Sequence, residues 1–110
     1  MGLDSHWHMP QEPRAGADAA CHPVFDPPLR LSPTGDDRGR LAFRGKAYAG
    51  VIRTYTGYDL YHYLDAAAVR GVADALDRLP AALADFPDLA DVRRMFRVYA
   101  DAGAALVADC

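Results

Sequence analysis

Residues 58–65 read Tyr58-Asp59-Leu60-Tyr61-His62-Tyr63-Leu64-Asp65, and here the hydrophobic period of the chain changes from two to three and four. In an extended strand Leu60, His62 and Leu64 share one face, and Asp59, Tyr61 and Tyr63 share the other. The leucine face is the expected core face. Asp65 then stands where a carboxylate accepts from the open amides of a first helical turn. Beyond it Val69, Val72, Ala73, Leu76 and Leu79 recur at three and four, which predicts an amphipathic helix over 66–79. Asp74 and Arg78, four apart on its outer face, are expected to pair.

Outward from this junction the pattern continues both ways. Toward the C-terminus, Pro80 ends the helix or opens a short one through Phe86. Asp88 then caps another helix, with Leu89, Val92, Met95, Phe96 and Tyr99 as its buried stripe. Gly103 suits the position after a helix that needs positive φ, and 104–109 reads as a closing strand. Toward the N-terminus, 47–56 is rich in β-formers (Tyr48, Val51, Ile52, Thr54, Tyr55) and reads as a strand after 41–44 and a Gly45-Lys46 turn. Gly35-Asp36-Asp37-Arg38-Gly39 is a turn by its chemistry. Six of the eight prolines precede residue 34, and each removes a backbone donor and restrains its predecessor. Residues 1–34 are therefore expected to form an irregular arm, with Phe25 and Leu29 docking on a single small domain at 35–110. The expected fold is α+β: a small mixed or antiparallel sheet of three N-terminal strands plus a C-terminal strand, with two or three helices on one face.

Composition excludes several classes of function. The 110 residues suit one domain, and the longest apolar stretch, 102–108, is too short to span a bilayer or to serve as a signal-peptide core. No membrane association is expected. A net charge of -3, from 15 acids and 12 bases, argues against nucleic acid as the main partner. Asp supplies fourteen of the fifteen acids and Arg eleven of the twelve bases, a bias that reads as a GC-rich, bacterial coding origin. Cys21 and Cys110 do not make a disulfide framework, so a reducing cytoplasm is the expected compartment.

His62-Tyr63-Leu64-Asp65 running into Val69, Val72, Ala73 and Leu76-Asp77-Arg78-Leu79, followed by Val92, Met95-Phe96, Tyr99-Ala100 and Gly103-Ala104-Ala105-Leu106-Val107, resembles the C-terminal part of the YfbM-like family of small bacterial proteins. The closing helix, glycine and strand are also similar to the ending of the barstar-like inhibitors. These resemblances imply a small α/β protein that binds another protein rather than catalyses a reaction. Neither brings a catalytic motif that falls on a residue here.

Five of the six tyrosines lie between Tyr48 and Tyr63. Tyrosine joins apolar area to a polar tip and loses little rotamer freedom when fixed, which suits recognition; it is also simply a good strand former. With Asp74 and Asp77 on the first predicted helix, Tyr58, Asp59, Tyr61 and Tyr63 are the expected partner-binding residues of an immunity-like or inhibitor-like module, the acids steering a basic partner. A protein partner is expected, and a homodimer stays open. His6, His8, Cys21 and His22 form an H-x-H … C-H set of sensible metal ligands, without a recurrent zinc spacing; they define the alternative of a metal-binding arm. His62 as a general base is the second alternative, opposed by its place between two leucines and across the strand from Asp59. No nucleophile elbow, phosphate loop or paired-carboxylate motif is present, so no catalytic residue, cofactor or metal ligand is assigned.

Overall fold

The chain folds as a small α+β protein in a computed structural model that describes residues 3–27, 29, 31, 41–79 and 89–109. The turn at 35–39, the region from Pro80 to Asp88 and Cys110 lie outside the described residues. The elements run β1 (Asp4–His8), β2 (Ala42–Phe43), α1 (Ala49–Thr56), α2 (Ala66–Leu76), α3 (Leu89–Asp101) and β3 (Ala105–Asp109), with single 3₁₀ turns at Ala19–Cys21 and Gly45–Ala47. The three strands form one antiparallel sheet in the order β2-β1-β3.

The central strand is β1, which corrects the expectation of an irregular arm at 1–34. Leu3, Ser5, Trp7 and Met9 are buried while Asp4, His6 and His8 are half-buried, a strict period of two that ends where the prolines begin. Serine at one inward position hides the alternation from a hydrophobicity reading. β1 pairs along its full length with β3, Asp4 opposite Asp109 and His8 opposite Ala105, and through Ser5 and His6 with β2. Phe25 is buried in the same core, and Leu29 packs against it.

Residues 49–56 form helix α1, not the expected strand. Tyr48 and Ile52 lie one helical turn apart and are both buried, so one contact pair against the core selects the helix over local β-preference. Thr56 Oγ1 donates to the Ile52 carbonyl at 2.6 Å, and Gly57 closes the helix at φ 80°. The expected third strand also fails beyond one bridge, Leu64 to Leu106. Asp59 Oδ1 accepts from Tyr61 N at 2.9 Å and the Asp59 carbonyl from His62 N at 3.2 Å, a turn that competes with an extended chain. Leu60 and Leu64 point inward as expected; Tyr61, His62 and Tyr63 are exposed in succession, which no strand on a core allows.

The later elements follow the sequence pattern. Asp65 caps α2 by accepting from Ala68 N at 2.9 Å, and Val69, Val72, Ala73 and Leu76 are its buried stripe. Helical geometry ends at Leu76, with Leu79 partly buried beyond it. The buried face of α3 is Leu89, Val92, Met95, Phe96, Tyr99 and Ala100, and Gly103 turns the chain at φ 77° into β3. Asp74 pairs with Arg97 of α3 rather than with Arg78.

The sheet and α3 meet through aromatic rings. Trp7 stacks on Tyr99 with centroids 4.2 Å apart and planes 7° apart, and Phe96 meets it edge-on at 5.1 Å. Such contacts add to the area each ring buries. Because β1 is the middle strand, removing residues 1–8 abolishes cooperative thermal unfolding, measured by circular dichroism or calorimetry. Trp7→Ala alone lowers stability by about 3–5 kcal/mol in urea titration.

Candidate functional site

Two features carry chemistry: a buried polar network between the loop after β1 and α3, and an exposed tyrosine segment between α1 and α2.

The network begins with Glu12, the only glutamate among fifteen acids. Met9 to Glu12 make a turn closed by Glu12 N donating to the Met9 carbonyl at 3.0 Å, with Pro10 at the position where its fixed φ suits a turn. The side chain folds back so that Oε1 accepts from Met9 N at 2.8 Å and Oε2 from Asp18 N at 2.9 Å. Asp18 caps the 3₁₀ turn Ala19–Cys21 by accepting from Ala20 N. That turn delivers His22, whose Nε2 lies 2.8 Å from Glu12 Oε1 and whose Nδ1 lies 2.8 Å from Tyr99 Oη. The Glu12 and His22 side chains are sealed from solvent.

Burial, the largest influence on Glu12, pushes its carboxyl up. The Met9 and Asp18 amides and the His22 ring together outweigh it and hold the group below the ordinary glutamate range. The carboxylate can then only accept, so His22 Nε2 carries the hydrogen, and in the neutral ring Nδ1 accepts from the Tyr99 hydroxyl. Glutamate, histidine and tyrosine thus form one hydrogen-bonded chain from the loop to α3. Cys21 sits at its edge, half-buried, with Sγ donating to the Asp18 carbonyl at 3.1 Å. Burial and the nearby carboxylates of Glu12 and Asp18 raise its thiol, so it is a poor nucleophile.

The expected H-x-H … C-H set is only half assembled. Cys21 and His22 come together, but with Glu12, the ligand-type atoms of all three lying within 4.8 Å of one another. His6 and His8 project from the other face of β1 and line an open groove of about 570 Å³ with Arg14, Val107 and Asp109 among its walls. There His6 Nε2 lies 3.7 Å from Asp109, and His8 Nε2 lies 3.0 Å from the Glu12 carbonyl oxygen. No spacing in the sequence points to Glu12; its one signal is a glutamate in a chain that otherwise uses aspartate, where the extra methylene lets the carboxylate reach back to Met9 and across to Asp18.

The tyrosine segment is exposed in part. Tyr61 and Tyr63 are 45% and 61% exposed, with Tyr55 at 46% beside them in sequence. Tyr58 is partly buried against the core, and a Cβ at Gly71 would overlap its hydroxyl, so a larger residue there would displace the Tyr58 ring. Asp59 is half-buried and organises the turn, with the exposed His62 ring 3.6 Å from its carboxylate. His62 therefore stands in solvent rather than between core leucines. Asp74 and Asp77 belong to a different surface: Arg97 donates to Asp74 at 2.8 Å and to Asp77 at 2.7 Å, tying α2 to α3. The bond from Arg97 holds the Asp74 carboxyl below its usual range.

The network has a pH signature in the metal-free protein. Glu12 is held below its ordinary value near 4.5, so its contribution to stability is full above that pH and is lost as pH falls through the folded value. Glu12→Gln lowers stability by about 1–3 kcal/mol at neutral pH, and urea titrations from pH 7 to pH 3 show the gap between wild type and variant closing toward acid. No protein-family model, curated protein or solved structure matches this chain.

Proposed function

We propose that the protein is a small protein-interaction module, of the immunity or inhibitor kind, that recognises a protein partner through Tyr55, Tyr61 and Tyr63 with Asp59 and Tyr58 holding the segment in place. The observation that carries this reading is the exposure of Tyr61 and Tyr63. Among the described residues the large apolar side chains in the open are these two, Tyr55 and Val24, so three of four fall within nine residues. A rigid aromatic side chain on a tied turn offers contact area at small entropic cost, which is the composition of binding hot spots. The Asx turn at Asp59 fixes the backbone between the two anchored leucines, Leu60 and Leu64, so little ordering is left to be done on binding.

Asp74 and Asp77 make a secondary contribution in this reading. Their charge is largely matched by Arg97 and Arg93, which weakens long-range steering of a basic partner. The YfbM-like resemblance of the C-terminal half and the barstar-like ending of helix, glycine and strand are in keeping with this reading. Catalysis by His62 gains no support from a ring that stands exposed with one carboxylate at 3.6 Å.

The test is capture of the partner from a bacterial lysate and measurement of its affinity for wild type and for the combined Tyr55→Ala, Tyr61→Ala, Tyr63→Ala variant. These exposed positions leave the unfolding midpoint in place, while affinity falls by about a hundredfold or more, as expected when hot spots of about 2 kcal/mol are removed. Unchanged affinity in the folded variant contradicts the proposal.

A further inference from the structure

We propose that Glu12, Cys21 and His22 bind one divalent transition-metal ion of the zinc class, with Tyr99 orienting the histidine. A carboxylate oxygen, a thiolate sulfur and an imidazole nitrogen are all ligands that Zn²⁺ and Co²⁺ accept in four-coordinate sites, three from protein leaving one place for solvent or an added ligand. Here the three atoms lie within 4.8 Å of one another. Bonds of about 2.0–2.3 Å in a tetrahedron need donors roughly 3.3–3.8 Å apart, so Cys21 Sγ approaches by on the order of 1 Å while Glu12 Oε1 and His22 Nε2, 2.8 Å apart in their hydrogen bond, open by roughly half an ångström to admit the ion. That sulfur belongs to the one half-exposed member and is tied by a hydrogen bond to the Asp18 carbonyl, whereas the other two are sealed from solvent.

The sealed members are already arranged as ligands. The two amide bonds to Glu12, from Met9 and Asp18, persist when Oε1 takes an ion, because each carboxylate oxygen has a second lone pair. His22 has Tyr99 Oη at 2.8 Å from Nδ1, the kind of oxygen partner that sets the tautomer and ring plane of a ligating histidine. On binding, the hydrogen on Nε2 gives way to the metal. The neutral ring carries its hydrogen on Nδ1 and donates it to Tyr99 Oη, and the Cys21 thiol releases one proton to solvent. The direct bond between Glu12 and His22 is replaced by two bonds to the ion, and the charges of carboxylate and thiolate are matched by the two charges of the metal. Since all three ligands fall within residues 12–22, the ion clips the loop after β1 and binds the folded chain preferentially.

The experiment is titration of metal-free, untagged protein with Co²⁺ followed by Zn²⁺. The expected result is one Co²⁺ per chain, with a thiolate-to-cobalt charge-transfer band in the near ultraviolet and the visible bands of tetrahedral cobalt, both removed by one equivalent of Zn²⁺, which also raises the unfolding midpoint. Cys21→Ser, at a half-exposed position, folds as wild type, loses the charge-transfer band and weakens binding by about tenfold or more. The double variant His6→Ala, His8→Ala keeps the band and the affinity. The absence of stoichiometric uptake overturns the proposal. So does uptake without the charge-transfer band, or uptake that survives Cys21→Ser and disappears with His6 and His8, since that places the ion in the surface groove.

Discussion

A carboxylate sealed from water must be given donors to replace it, and in this chain Glu12 is that carboxylate. The Met9 amide, the Asp18 amide and the His22 ring supply the donors, and they come from three places along a proline-bearing loop. Once those bonds are made, the 3₁₀ turn lies over Glu12 and His22 faces α3. Removing the carboxylate leaves its buried donors unpaired at a cost of about 1–3 kcal/mol, a sizeable share of a small domain's total stability. Tyr99 passes the constraint on, since its hydroxyl meets His22 while its ring stacks on Trp7 of the central strand. Loop, sheet and last helix are fastened at one point.

The same geometry explains how much could be read from the sequence. α2, α3 and β3 were legible because each announces itself within a short window: Asp65 as a cap, stripes at three and four, and Gly103 where the chain must reverse. β1 was hidden by Ser5 at an inward position and by the prolines that follow it. α1 was misread because its residues favour strands one by one, and only the joint burial of Tyr48 and Ile52 against the core makes them a helix. The turn at Asp59 is visible in the residue type, yet the alternation around it is equally good, and the Asx bond decides between them. At the site, Cys21 and His22 were legible by type, and Glu12 was not. Its role depends on a turn that brings position 12 beside positions 9, 18 and 22, and no spacing rule contains that.

The two functional readings draw on different parts of the molecule and different physics. In the proposed function the tyrosine segment is the recognition surface, with ring area held outward on a backbone tied by Asp59, Leu60 and Leu64. The loop site is a chemistry of matched donors, in which the same atoms serve a hydrogen-bonded form and a metal-bound form. Arg97 stands apart from both as a brace between α2 and α3, taking up the charge of Asp74 and Asp77. That brace gives these aspartates a structural role apart from any contribution to partner binding.

The central claim is that the Glu12 carboxylate is a buried acceptor that fixes the loop onto the core. Native-state hydrogen exchange of the Met9 and Asp18 amides tests it most directly, because both donate to that side chain and neither belongs to a helix or a strand. Protection comparable to that of the core amides of α3 is expected, lost selectively in Glu12→Ala. Exchange of these two amides at the rate of an open loop would contradict the claim.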